Sequence, residues 1–173
     1  MVEEILDIFT RDGKYLGTRT RSECHQDNPG FYHKPVWIWI INDAGEFLVQ
    51  KRSQSKKWFS GYWDIPSAGH LEAGETPIDG AIRETKEELG IDTSSEDYQY
   101  IGEYISDITW ELGQVYLLKI NKEVKDMKFQ KEEVEYAEWL PFEKFKKLLY
   151  SDSFIPYDKE FKEMSIKLLE RYK

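Results

Sequence analysis

Glu84, Glu87 and Glu88 lie in one helical stretch, Pro77–Leu89, that stops at Gly90. A helix turns by about 100° per residue, so Ile78, Ala81, Ile82, Thr85 and Leu89 gather on one side and the three glutamates fall within about 100° of one another on the other. Glu84 and Glu88 are a like-charge i,i+4 pair, unfavourable in an isolated helix by roughly 0.2–0.5 kcal/mol. Such a face is either a solvated surface or a cation site. The repulsion argues for the second, because a cation between the carboxylates relieves it. Oxygen-only sets of this kind suit hard ions, Mg²⁺ first and Mn²⁺ as an alternative.

The residues around the helix extend the pattern. Gly69 is followed after five residues by Glu75, then after seven by Arg83-Glu84, after two by Glu87-Glu88, and after one by Gly90-Ile91. This spacing resembles the signature of the Nudix hydrolase superfamily, over 23 residues from Gly69 to Ile91. Thr85 departs from it, standing where the family usually has an aliphatic residue. The resemblance implies that Glu84, Glu87 and Glu88, with the carbonyl of Gly69, hold one or more Mg²⁺ ions against a diphosphate. It also implies that Arg83 and Glu75 hold the catalytic loop by a salt bridge. Substrates of the superfamily are usually a nucleoside diphosphate linked to another group, cleaved when water attacks phosphorus. The base for that water is either Glu87 or an acid from elsewhere, Glu132 or Glu133.

Outside this segment, Asp12-Gly13, Gly17, Arg21, His25, His33, Gln50-Lys51-Arg52, Trp63-Asp64 and Gly69-His70 resemble the branch that includes isopentenyl-diphosphate isomerase. The isomerase needs a cysteine one residue before that Gly-His, and here the position is Ala68. The isomerases bind a metal through three histidines and two glutamates. By similarity His25, His33, His70 and Glu133 fall near those places, with Lys131 where the second glutamate belongs. The histidines are then either a second metal or phosphate site or locally hydrogen-bonded turn residues. The intact acidic set and the missing cysteine point to a Mg²⁺-dependent diphosphate hydrolase. Its rivals are an isomerase and a noncatalytic nucleotide-sensing module.

Elements must position these residues. Ile5–Phe9 and Tyr15–Gly17 flank an Asp-Gly turn; Val36–Ile41, apolar throughout, turns at Asn42–Gly45 into Glu46–Gln50 as a hairpin; further strands are expected near Tyr98–Tyr104, Gln114–Ile120 and Glu135–Leu140. Phe142–Leu149 and Asp158–Tyr172 carry Phe and Leu at helical spacing, as helices packing on a sheet do. The fold class is α+β. The resemblance makes it a Nudix-type α/β/α sandwich, a mixed sheet covered by helices. No repeat or linker divides the chain, so residues 1–173 read as one Nudix domain, with N-terminal strands and loop at 1–35, the Nudix box at 69–91 and C-terminal helices at 142–173. Trp58, Phe59, Tyr62 and Trp63 either cover the core or stack on a substrate ring, and specificity is expected in the loops Ser53–Tyr62 and Ser106–Gly113.

The chain has 173 residues, a net charge of −9 and 6 Trp, 11 Tyr and 9 Phe, enough apolar surface for one core. Glu72 to Asp97 hold nine acids against two bases, −7 of the −9. The acidic balance disfavours nucleic acid and anionic membranes as partners. The longest apolar run, Val36–Ile41, is far short of the roughly 18–20 residues that span a bilayer. The Met-Val-Glu-Glu start is unlike a secretory signal, and Cys24 is the single cysteine. The expected partner is a small-molecule diphosphate and the expected place the cytoplasm. Homodimers are common among the relatives implied.

Overall fold

The computed structural model describes residues 3–173. In chain order it has β1 (Ile5–Phe9), β2 (Tyr15–Thr20), the one-turn α1 (Arg21–Cys24), β3 (Tyr32–His33), β4 (Pro35–Ile41), β5 (Glu46–Arg52), β6 (Trp63–Asp64) and β7 (Ser67–His70). Then follow α2 (Pro77–Leu89), β8 (Tyr98–Ser106), β9 (Glu111–Lys119), β10 (Val134–Pro141), α3 (Phe142–Leu149) and α4 (Lys159–Leu169). The helix and long-strand expectations are met to within a few residues at their ends. α1, β3, β6 and β7 are too short to carry a periodic pattern, and the sequence does not announce them.

The expected hairpin of β4 and β5 takes a different form. The two strands share one registered pair, Ile41 with Phe47, and then part. β4 pairs with β7 on one side and runs parallel to β9 on the other, while β5 pairs with β10 and β6. The short strands β6 and β7 fill the wedge. Splaying lets each central strand satisfy its backbone on both edges, which a strand buried along its whole length requires. It also carries Asp64, Ala68, Gly69 and His70 into the mouth of the wedge. The remaining order, β9-β3-β1-β2, hangs the N-terminal hairpin on the same sheet.

Alternate residues of β4 face opposite layers. Val36, Ile38 and Ile40 pack with Ala81 and Leu89 of α2, whereas Trp37, Trp39 and Ile41 pack with Phe142, Phe145 and Leu149 of α3 and Phe161 and Leu169 of α4. This is the helix–sheet–helix sandwich that the resemblance implies. α2 begins on Thr76, whose Oγ1 accepts from the Asp79 N–H at 3.3 Å, and ends on Gly90 in the left-handed conformation (φ 64°). Both ends being capped, the face bearing Glu84 and Glu88 is set firmly against β7.

Phe145 is fully buried, stacked on Phe47 at 4.9 Å and edge-on to Trp39 at 5.4 Å. Phe145→Ala is expected to cost about 3–5 kcal/mol, read as a lowered urea midpoint with an unchanged slope.

Candidate active site

Arg83 organises the loop before α2. Its Nε and Nη2 donate to the two carboxylate oxygens of Glu75, both at 2.8 Å, and Nη2 also donates to the His70 carbonyl at 3.0 Å. Nη1 reaches Glu84 at 2.7 Å and Glu87 at 3.3 Å. One guanidinium therefore joins β7, the loop and two helix carboxylates. Gly69 is obligatory here, because a Cβ at that position would lie 2.0 Å from the Glu84 carboxyl carbon. Glu88 is buried and accepts a single hydrogen bond, from the Ala68 N–H at 3.1 Å. Burial, then the neighbouring charge of Glu84, pushes its carboxyl well above the usual range. Burial also raises Glu84, against the pull of Arg83. Glu87, by contrast, is exposed at the rim.

These carboxylates form one wall of a cavity of about 450 Å³. Cations line it as well: Arg21, Arg52 and Lys56 reach it from α1, β5 and the loop after β5, each paired with a carboxylate of the same cavity, Glu4, Asp64 and Glu133. Arg52 is aimed by Asp64, whose Oδ2 accepts from its Nη1 at 3.0 Å. Asp64 is itself buried and accepts further bonds from the Tyr157 hydroxyl and the Ile65 N–H, both at 2.7 Å. Desolvation raises the Asp64 carboxyl and, more strongly, the Tyr157 phenol. Glu133 lines the cavity too and is bonded to Lys56. Glu132 is exposed and does not line it.

The three histidines meet. Ring centroids of His25, His33 and His70 lie 4.9–5.1 Å apart, and Glu111 joins them, all four offering ligand atoms within 4.8 Å of one another. Glu133, expected as their fourth member, is not among them. It lies in the turn before β10 beside Lys56, whereas the parallel pairing of β3 with β9 sets His33 opposite Glu111. His25 Nδ1 faces the Arg21 carbonyl at 2.8 Å and so carries the proton, leaving Nε2 as the free lone pair. Both ring nitrogens of His33 and Nε2 of His70 are buried without a partner. Burial drives His70 well below its ordinary pKa and lowers His25 as well, which keeps those imidazoles neutral.

Two sets of residues thus suit a divalent cation. Glu84 and Glu88, packed against the glycine cradle, are oxygen donors in a buried place with too few protein partners for their charge. The histidine group presents orphaned buried ring nitrogens beside a carboxylate. Cys24 belongs to neither: it is buried with Leu6 and Ile8, and desolvation pushes its thiol up to about 11. Glu111, Lys56 and Tyr157 carry no readable signal in sequence, since strand pairing brings in Glu111 and the folding back of loops brings in Lys56 and Tyr157. Trp63-Asp64 and Lys51-Arg52 were visible as resemblances, but nothing in them announces an ion pair across a wedge. Asp64→Ala leaves Arg52 without its buried partner and is expected to destabilise by about 3–5 kcal/mol, measured by chemical denaturation.

Comparison with known proteins adds the lineage. The NUDIX domain family matches residues 31–159. Nudix hydrolase 3 of Arabidopsis thaliana is 34% identical over 172 residues, 91% of this chain, which spans only 22% of that protein's length. An isopentenyl-diphosphate Delta-isomerase of Corynebacterium glutamicum is 32% identical over 147 residues, covering 78% of this chain and 77% of that one. A solved structure from Deinococcus radiodurans superposes over 97% of this chain and 98% of its own with a TM-score of 0.75 at 20% identity, a likeness of fold. Among the described residues no helix is long and apolar enough to cross a membrane. The chain belongs to the NUDIX domain family, in the branch that includes isopentenyl-diphosphate isomerase.

Proposed function

We propose that the protein is a Mg²⁺-dependent hydrolase that cleaves a diphosphate linkage in a small organic or nucleoside diphosphate. The observation that carries this reading is one cavity lined both by Glu84, Glu87 and Glu88 and by Arg21, Arg52 and Lys56. An anionic diphosphate fits where a cation site and fixed cations share one cavity, and neither set alone would hold it. Relatives named as Nudix hydrolases support the same activity class.

In this reading Glu84, Glu88 and the Gly69 carbonyl would hold Mg²⁺, with Mn²⁺ as the alternative ion. The chemistry a divalent ion supplies there is neutralisation of charge on the phosphoryl oxygens and the leaving phosphate. Arg52, aimed by Asp64, and Lys56 bind the diphosphate oxygens and fix the attacked phosphorus. A water oxygen bonds to that phosphorus, the bridging P–O bond breaks, and its electron pair leaves with the departing phosphate. Glu87 takes the water proton, being exposed at the rim with one 3.3 Å contact to Arg83; Glu133, which lines the same cavity beside Lys56, is the alternative base. Arg83 and Glu75 are positioning residues. His25, His33, His70 and Glu111 would hold a second divalent ion beside the first. Isomerisation is disfavoured because the cavity wall has Ala68 where the isomerases have cysteine and the only thiol is buried elsewhere.

Glu84→Gln and Glu88→Gln are each expected to weaken Mg²⁺ binding by calorimetry and to lower phosphate release by about 100-fold or more. Release is scored on nucleoside diphosphate sugars, dinucleoside polyphosphates, NADH, oxidised nucleotides and isoprenoid diphosphates. Unchanged Mg²⁺ affinity and release in both variants would sink the hydrolase reading. With isopentenyl diphosphate and Mg²⁺, no dimethylallyl diphosphate is expected by NMR, and its formation at an enzymatic rate would restore the isomerase.

A further inference from the structure

A second cavity, of about 290 Å³, opens beside the first and shares Trp37, Phe59, Glu111, Ile155 and Tyr157 with it. Anything bound by its diphosphate in the first cavity has this one within reach of its organic group. The two differ in character. The first is lined by Arg21, Arg52, Lys56 and Arg83 together with eight carboxylates; the second has no Lys, Arg or His in its lining, and aromatic rings form much of it.

Its wall is a contiguous set of aromatic rings around Phe161, with centroids of Trp37, Tyr157 and Tyr104 at 4.8, 5.1 and 5.2 Å from it. Ring faces carry negative electrostatic potential and attract cations. Asp158 lines this cavity and not the first. Its Oδ2 accepts from the Tyr104 hydroxyl at 3.2 Å and from Ser106 Oγ at 2.9 Å, so both of its hydrogen bonds come from neutral hydroxyls and neither neutralises it. Glu111 lies at the junction, where one oxygen accepts from Thr109 Oγ1 at 2.6 Å, but it belongs with the histidine group, which leaves Asp158 as this cavity's own carboxylate. An anionic group would be repelled here. A neutral apolar group would pack on the rings but strip water from Asp158 with nothing in return, which is costly. A flat or quaternary organic cation meets both the rings and the carboxylate.

We infer that this second cavity is the specificity pocket for the organic group of the substrate, and that this group is an organic cation, a quaternary ammonium or a cationic heteroaromatic ring, held over Trp37, Tyr104 and Tyr157 and countered by Asp158. The inference rests on the diphosphate reading of the first cavity, whose cations and carboxylates serve the other end of the same molecule.

The test uses two probes of equal shape, 2-(trimethylammonio)ethyl diphosphate and 3,3-dimethylbutyl diphosphate, which differ by one positive charge. Dissociation constants for the intact protein with Mg²⁺ are measured by calorimetry, and released phosphate is measured separately. The cationic probe is expected to bind about tenfold more tightly than its neutral isostere, with the ratio falling towards unity in Asp158→Asn. Equal affinities, tighter binding of the neutral probe, or a ratio unmoved in a folded Asp158→Asn variant would overturn the inference. So would failure of both probes to bind. Selective binding without phosphate release would leave the inference standing and remove the hydrolase reading; release from both probes without discrimination would do the reverse. The comparison between probes is made on the unsubstituted protein, so it decides even if the variant fails to fold.

Discussion

The fork of Arg83 is the contact on which the site depends. Its five donors span Glu75 in the loop, the His70 carbonyl on β7 and Glu84 and Glu87 on α2. A lysine could not make this set, because a single ammonium cannot satisfy two parallel carboxylate oxygens and a carbonyl in fixed directions. Fastening β7 to α2 presses Gly69 onto Glu84, so that the place where side-chain bulk is least tolerated is also the place where carboxylates crowd. The charge of Arg83 offsets part of the repulsion in that crowd; Glu88, out of its reach, keeps the most perturbed carboxyl.

A second constraint lies in the sheet. β4 and β5 diverge after one pair, and the wedge they leave is what gives the cavity its depth. Asp64 and Ala68 to His70 enter on the short strands that fill it, and Asp64 turns Arg52 back across the opening. The N-terminal hairpin and α1 bring Arg21 and His25 from a distant part of the chain. The cavity is therefore assembled from separate stretches of the chain, and Arg21, Arg52, Asp64, Gly69, Glu84 and Glu88 among its lining stand on strands or helices, a more rigid arrangement than loops alone provide.

The electrostatics follow from this assembly. The acidic surplus sits on α2 and its flanks, and the cations that balance it in the cavity come from elsewhere in the chain. An acidic protein in this way has carboxylates and guanidinium and ammonium groups side by side in one cavity. The neighbouring aromatic cavity lacks basic groups altogether, so the fixed cations are confined to the first of the two.

Local chemistry made much of this legible in sequence. The helix of Glu84, Glu87 and Glu88, its stop at Gly90 and its apolar face follow from residue spacing, because i,i+4 neighbours and a terminal glycine act within one turn. The fully buried strand Val36–Ile41 and the two C-terminal helices were equally plain. Contacts that cross the chain were not. His33 faces Glu111 instead of Glu133 because β3 runs parallel to β9; Arg52 meets Asp64 because β6 folds back into a wedge; Tyr157 reaches Asp64 because α4 begins where it does. The sequence by itself determined the acidic helix and, through its signature, the family; only the tertiary structure decided that Gly69 must lack a side chain and which cations and which carboxylate complete the site. The physical reason is that strand register and parallel pairing are set by burial of whole faces, a property of the assembled sheet that no short stretch of residues carries.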